Sequence, residues 1–163
     1  MLKLLGDDPE FHEPSSQPMP GPLIAVATGG FKEVNGCIVP ASYQDTSIGA
    51  PSRPHVNNVD DETGFECNLS KIHLEKFFEA RIGLTELARI GCDFAYLLGR
   101  ELKKSHADES FRVIVSVQLP DPTLEVREIC TVRFHKVRGE QVWLDNDLEA
   151  YEEEAIAVFD FRD

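Results

Sequence analysis

The sequence predicts an α+β fold in which one long helix packs against an antiparallel sheet. Three observations predict it. Between Asn68 and Lys104, the residues Phe77, Phe78, Ile82, Leu87, Ile90, Phe94, Leu97, Leu98 and Leu102 recur at spacings of mostly three and four. That rhythm makes one wide apolar helix face. Gly91, Ala95 and Gly99 stand four apart on the same segment, a strip of small residues that another backbone can approach closely. Strand-like runs follow, and the first alternates cleanly, with Phe111, Val113, Val115, Val117 and Leu119 on one face and Arg112, Ile114, Ser116 and Gln118 on the other.

In chain order, residues 1–22 are rich in Pro, Ser and acids and read as an irregular N-terminal arm. Residues 23–163 read as a single domain. LIAVAT, FKEV and CIV suggest two or three short strands. Asn35-Gly36 between the last two is a hairpin signal, because a type I′ turn needs positive φ at both central positions. Residues 40–64 return to Pro, Ser, Asn and Asp without a period, a long loop of the kind that is functional or disordered. Asn68–Lys104 then reads as mainly helical, with Gly83 the point at which it can be interrupted. Asn68 or Ser70 is placed to cap its start, and Lys103 and Lys104 suit the negative end of its dipole. After Phe111–Leu119, a turn at Pro120–Thr123 leads to a strand over 124–137, with Val126, Cys130, Val132 and Phe134 inward and Arg127, Thr131, Arg133 and His135 outward. Gln141–Leu144 and Ala155–Phe161 complete an expected antiparallel meander.

A chain of 163 residues can bury a real core without staples. Its net charge of −13 is unevenly spread. Residues 1–66 hold 10 acids and 3 bases, residues 67–138 hold 10 and 12, and residues 139–163 hold 9 and 1. Acid lies in the flanks, and no broad basic surface exists, which argues against nucleic acid and against anionic membrane as partners. Cys37, Cys67, Cys92 and Cys130 are far apart, with no C-x-x-C pair and no clustered histidines, so neither a metal site nor a cofactor is expected. The opening MLKLLGDDPE has too short an apolar run for a signal peptide, and Arg81, Glu86, Arg89, Asp93 and Arg100 interrupt the helix. A cytoplasmic location is the expectation.

The run HLEKFFEARIGLTELARIG at 73–91 resembles the helix signature of hot-dog-fold acyl-thioesterases of the 4-hydroxybenzoyl-CoA thioesterase type. There a segment like Y-L-x-x-F-E-E-A-R precedes a glycine; here His73, Leu74, Phe77, Phe78, Glu79, Ala80 and Arg81 precede Gly91. The closing AIAVFDF at 155–161 is similar to that family's last strand, and the likeness extends over about residues 65–161. It implies a hot-dog-like fold, a long central helix wrapped by an antiparallel sheet, assembled as a homodimer or higher homo-oligomer. It implies an acyl-CoA or acyl-carrier-protein thioesterase, or a non-hydrolysing acyl-thioester-binding relative. One departure bears on catalysis. The family's D-x-x-G-H-V-N-N entrance to the helix falls here on Thr63, Glu66 and Cys67, so its Asp, Gly and His are all replaced. A literal His55-Val56-Asn57-Asn58 lies further upstream, in the polar loop.

Thioester hydrolysis needs donors aimed at the carbonyl oxygen and a carboxylate that activates water or attacks directly. With a helix starting at 67–71, the carboxylate candidates are Glu66 ahead of it and Glu79 two turns on. Each also reads as an ordinary solvated acid. Asn68 either orients the carbonyl or caps the helix. His73, where the family has Tyr, either lines the acyl pocket or is a half-exposed helix residue. For the phosphates of coenzyme A or a carrier's pantetheine, Arg127 and Arg133 are the binding candidates, against the plainer reading of a charged outer sheet face. A second functional class is compatible with the acidic flanks: a small interaction module of chaperone or inhibitor type, without catalysis.

Overall fold

The computed structural model describes residues 15–43, 61–118, 128–139, 141–145 and 147–162. The architecture is α+β. Helix α1 (Gly21–Thr28) leads into a hairpin of β1 (Phe31–Val34) and β2 (Cys37–Pro40). Helix α2 (Glu62–Leu69), the short strand β3 (Ile72–His73) and a 3-10 turn, η1 (Leu74–Phe77), precede the long helix α3 (Leu84–Ser105). Strands β4 (Phe111–Gln118) and β5 (Cys130–Lys136), a second 3-10 turn, η2 (Leu148–Ala150), and β6 (Glu154–Phe161) follow. The main sheet is antiparallel, in the order β3-β5-β4-β6.

Helix α3 covers one face of this sheet. Leu87, Ile90, Phe94, Leu98 and Leu102 point into the core with Phe111, Val113, Val115 and Val117 of β4 and Cys130, Val132 and Phe134 of β5. The small residues let helix and sheet close on each other. A Cβ at Gly99 would overlap the Phe161 ring of β6, and one at Gly91 would stand 2.9 Å from Cys130 Sγ and Val115 Cγ1. Helix α1 adds Leu23 and Ala27 to the same core. The opposite face carries a second layer, in which Cys67 of α2 packs with Ile114 and Ile156, joined by Trp143, Leu144, Leu148 and Tyr151. Thr131 and His135, expected on an open outer face, are largely buried, at 5 % and 3 % exposure.

The β5 edge is closed by three successive devices. Strand β3 pairs Ile72 with Val132 and His73 with Thr131. The Ser70 hydroxyl donates to the Phe134 carbonyl and accepts from the Phe134 N–H, both at 2.9 Å. The Glu66 carboxylate accepts from the Lys136 N–H at 2.7 Å. A strand edge is a template for unwanted pairing, and here side chains occupy it where the short β3 ends. At the other edge, β6 has β4 as its sole partner strand among the described residues.

Several expectations are corrected. LIAVAT is helical, not a strand; Pro22 in its first turn suits a helix start, because that N–H would be unpaired anyway. The expected helix over 68–104 is helical only in parts: Asn68 lies in the last turn of α2, β3 and η1 intervene, and the long helix starts at Leu84, next to Gly83, where an interruption was expected. Gln141–Leu144 forms no strand, and β6 pairs with β4 on the side away from β5, so the sheet is not a meander. The hairpin turn stands: Asn35 and Gly36 both have positive φ, 53° and 79°. Part of the expected loop and the start of the strand over 124–137 lie outside the described residues. Among the described residues, no helix is long and apolar enough to cross a membrane.

Candidate functional site

The helix α3 begins without a side-chain cap, because its N-cap residue is Gly83. Immediately before it, η1 and the extended segment 78–83 run along the sheet end, and together they wall a groove of about 310 Å³. Phe78, Ile82 and Leu87 form its apolar wall, and Glu75, Glu79, Arg81 and Glu128 supply its polar groups. The local sequence explains the bend. Phe78, Ile82 and Leu87 are all drawn toward the core, but Gly83 and the extended backbone of Phe78 interrupt the helical path between them.

The three carboxylates of the groove are held differently. Arg81 grips Glu128 with a fork, Nε to Oε2 at 2.7 Å and Nη2 to Oε1 at 2.6 Å. That hydrogen bonding holds the Glu128 carboxyl below the usual range and raises the Arg81 guanidinium. Glu75 accepts from the Cys130 N–H at 3.3 Å, and its other oxygen lies 3.4 Å from His73 Nδ1. Glu79 is exposed and makes no hydrogen bond or ion pair among the described residues. It is the carboxylate of the groove left free to take a proton.

Glu66 has the opposite surroundings. It is wholly buried, and its oxygens accept from Ile38 N at 2.6 Å, Lys136 N at 2.7 Å, and both terminal nitrogens of Arg138 at 2.7 Å. Four donors leave little lone-pair capacity for a water or an incoming substrate. Glu66 and Glu79 sit at opposite ends of β5, one beside Lys136, the other in the groove with Glu128. Asn68 is exposed at the end of α2, whose cap is Asp61, accepting from Gly64 N at 2.8 Å. Arg127 lies outside the described residues.

His73 and Arg133 do come together, in a second cleft on the outer sheet face with Lys71, Ser116, Gln118, Ile129, Thr131 and Glu154. Burial lowers the His73 pKa, against the pull of Glu75. The sequence reading missed Glu75, Arg81 and Glu128 in the groove and Lys71, Ser116 and Thr131 in the cleft. The alternation of β4 and β5 was the available signal for Ser116 and Thr131; nothing local marks the pairing of Arg81 with Glu128, 47 residues apart. All four cysteines are free and buried, and burial pushes every thiol up, Cys37 to about 11 and Cys92 to about 12. None is poised as a nucleophile. Among the described residues, no group of His, Cys, Asp and Glu could hold a metal ion.

No curated protein and no solved structure matches the chain. Over residues 9–163 it matches the model of the uncharacterized protein PM0498 family, and it belongs to that family.

Proposed function

We propose that this is an acyl-thioester-binding protein of hot-dog-like architecture, and that it hydrolyses its ligand in the groove before α3. One observation carries the reading. An unpaired carboxylate, Glu79, shares a groove with the apolar wall of Phe78, Ile82 and Leu87, beside the uncapped start of the longest helix. The apolar wall takes the acyl chain. The groove is lined by Ile82 and Leu87 on either side of the start of α3, and in this reading the N–H groups of that first turn take the developing oxyanion, a role that free helix N–H groups suit. Glu79 removes a proton from water as its oxygen attacks the carbonyl carbon. The C–S bond then breaks, and the thiolate leaves and takes up a proton.

The substrate is an acyl-CoA or an acyl-carrier protein, and the working unit is a homodimer formed through β6. Tyr96, 42 % exposed, stacks edge-on with Phe159 and Phe161 beside that strand, an aromatic margin suited to a second copy. Buried free thiols suit a reducing, cytoplasmic compartment. The test is thiol release from a panel of acyl-CoAs of increasing chain length. Turnover that fails on every acyl-CoA and acyl-carrier substrate would sink the hydrolytic reading. Binding of an acyl-CoA without turnover would leave the non-hydrolysing relative. With neither, the exposed acidic run Glu152-Glu153-Glu154 favours the interaction module, which would use it on a basic partner.

A further inference from the structure

The outer-face cleft is assembled by strand register. His73 of β3 pairs with Thr131 of β5, which pairs with Ser116 of β4, so three polar side chains form one row across three strands. Two residues along, Arg133 lies on the same face of β5, and Lys71 stands two residues before His73. The covering layer built on Trp143 and Tyr151 packs over Ile114, Ile156 and Val158, which leaves this row facing a cleft of about 130 Å³.

The charges here run against the rest of the chain. In a protein of net charge −13, the described lining of the cleft sets two bases, Lys71 and Arg133, with the His73 ring against one acid, Glu154, and Glu75 stands 3.4 Å from His73 on its other side. Glu154 is engaged at the rim by the Ser116 hydroxyl. Arg133 has no carboxylate partner among the described residues. Its guanidinium lies 5.7 Å from the centre of the Trp143 ring, and its Nε is buried with no hydrogen-bond partner among the described residues. A buried N–H donor without an acceptor is costly, and an anion in the cleft supplies one.

We propose that this cleft is a phosphate-binding site. The donor set fits a group with several acceptor oxygens and close to two negative charges. Arg133 offers a planar fork, Lys71 a mobile point charge, Thr131 a hydroxyl and His73 a ring N–H. Such a set matches a tetrahedral phosphate better than a carboxylate, which presents two oxygens in one plane. The site is separate from the groove and does not rest on the acyl-thioester reading. His73 and Glu75, 3.4 Å apart, line one cleft each, so the two are neighbours.

The test uses the full chain and inorganic phosphate, read by calorimetry and by the His73 ring signals in NMR. Saturable binding is expected at millimolar phosphate, weakened about tenfold in Arg133→Gln, where the fork is lost. Because Arg133 also packs on Trp143, the exposed Lys71→Gln provides a second variant that cannot fail through the core. Arg81→Gln, in the other groove, should bind as the wild type does. If phosphate gives no saturable response, or if both cleft variants bind it unchanged, the proposal is overturned. Coenzyme A added as a competitor distinguishes the source. Displacement of phosphate means that the site takes the phosphate of a larger ligand, and saturable phosphate binding without displacement means a free phosphate or another phosphorylated molecule. Both outcomes keep the site, and neither depends on turnover.

Discussion

Glu66 and Arg138 form a two-pronged ion pair, 2.7 Å on each side, with the carboxylate wholly buried. The same carboxylate holds Ile38 N of the hairpin and Lys136 N of β5, and the same guanidinium donates to Gly36 O at 2.9 Å. One pair therefore fastens α2, the β1–β2 hairpin and the end of β5 together. Removing either partner leaves a buried charge and unpaired N–H groups.

Glu66→Gln is accordingly expected to act on stability before it acts on any chemistry. Breaking one side of a buried ion pair costs about 3–5 kcal/mol. Urea unfolding of Glu66→Gln and Arg138→Met should show losses of that order in each. Their double variant should lose less than the two losses added. A Glu66→Gln protein as stable as the wild type would refute the clamp and return Glu66 to the list of candidate bases.

The fit of α3 on the sheet gives a contrast between glycines. A Cβ at Gly99 would overlap the Phe161 ring, whereas Gly83 has no atom within 4 Å of its added Cβ. Gly99→Ala gains about 1 kcal/mol of helix propensity and loses about 1–3 kcal/mol to overpacking, so it should be destabilising or at best neutral. Gly83→Ala should be tolerated. Gly99→Ala combined with Phe161→Leu should recover part of the loss, measured as the unfolding midpoint in urea. Were Gly99→Ala clearly stabilising, the close contact would be wrong.

The buried His135 makes stability depend on pH. Burial lowers its pKa from the usual 6.5, with Glu66 nearby pulling it up and Arg112 and Arg138 pushing it down. Its Nε2 is buried without a partner among the described residues, and its Nδ1 meets the Lys136 carbonyl at 2.9 Å. Well above pH 6.5 the ring is neutral in both states, and its contribution is intact. As pH falls below 6.5 the unfolded chain takes up a proton that the fold resists, so stability declines until pH passes the folded pKa. His73 shifts in the same direction, from a less buried place. Melting temperature should therefore fall between pH 8 and pH 5, and His135→Gln should flatten that fall more than His73→Gln does. An unchanged slope in His135→Gln would exclude the ring as its source.

The parts legible in the sequence are those set by local rhythm. The spacing of Leu87, Ile90, Phe94, Leu98 and Leu102 identifies α3, and the alternation of 111–117 identifies both faces of β4. Asn35-Gly36 identifies its turn, because the φ requirement is local. Gly83 marks the end of the break over 70–83, but its extent is hidden because Phe77, Phe78 and Ile82 keep helical spacing while serving different backbone shapes. What ends α2 there is Ser70 bonding Phe134, a partner 64 residues away. LIAVAT was misread because a short apolar run looks alike as strand or helix. For the site, Glu79 and Arg133 could be singled out by type. The saturation of Glu66 could not, since its partners Ile38, Lys136 and Arg138 come from both sides of the chain.

Glu79 then carries the chemical prediction, as the groove's carboxylate that makes no pair among the described residues. A general base contributes about a hundred to ten-thousandfold, so Glu79→Gln should lower kcat by that order while leaving the urea midpoint in place, because an exposed side chain with no partner holds nothing together. Glu75→Gln should behave differently. Its oxygens meet Cys130 N and face His73, so its loss should disturb η1 and the β5 start and lower stability together with activity. The apolar wall supplies an independent check. Leu87→Ala should raise KM most for the acyl chains that reach deepest into the groove, although burial of Leu87 in the core will also cost about 2–5 kcal/mol of stability. Exposed Glu79 is thus the cleaner probe. Full activity in a folded Glu79→Gln protein would exclude it as the base and move attention to a carboxylate delivered by a partner copy across β6.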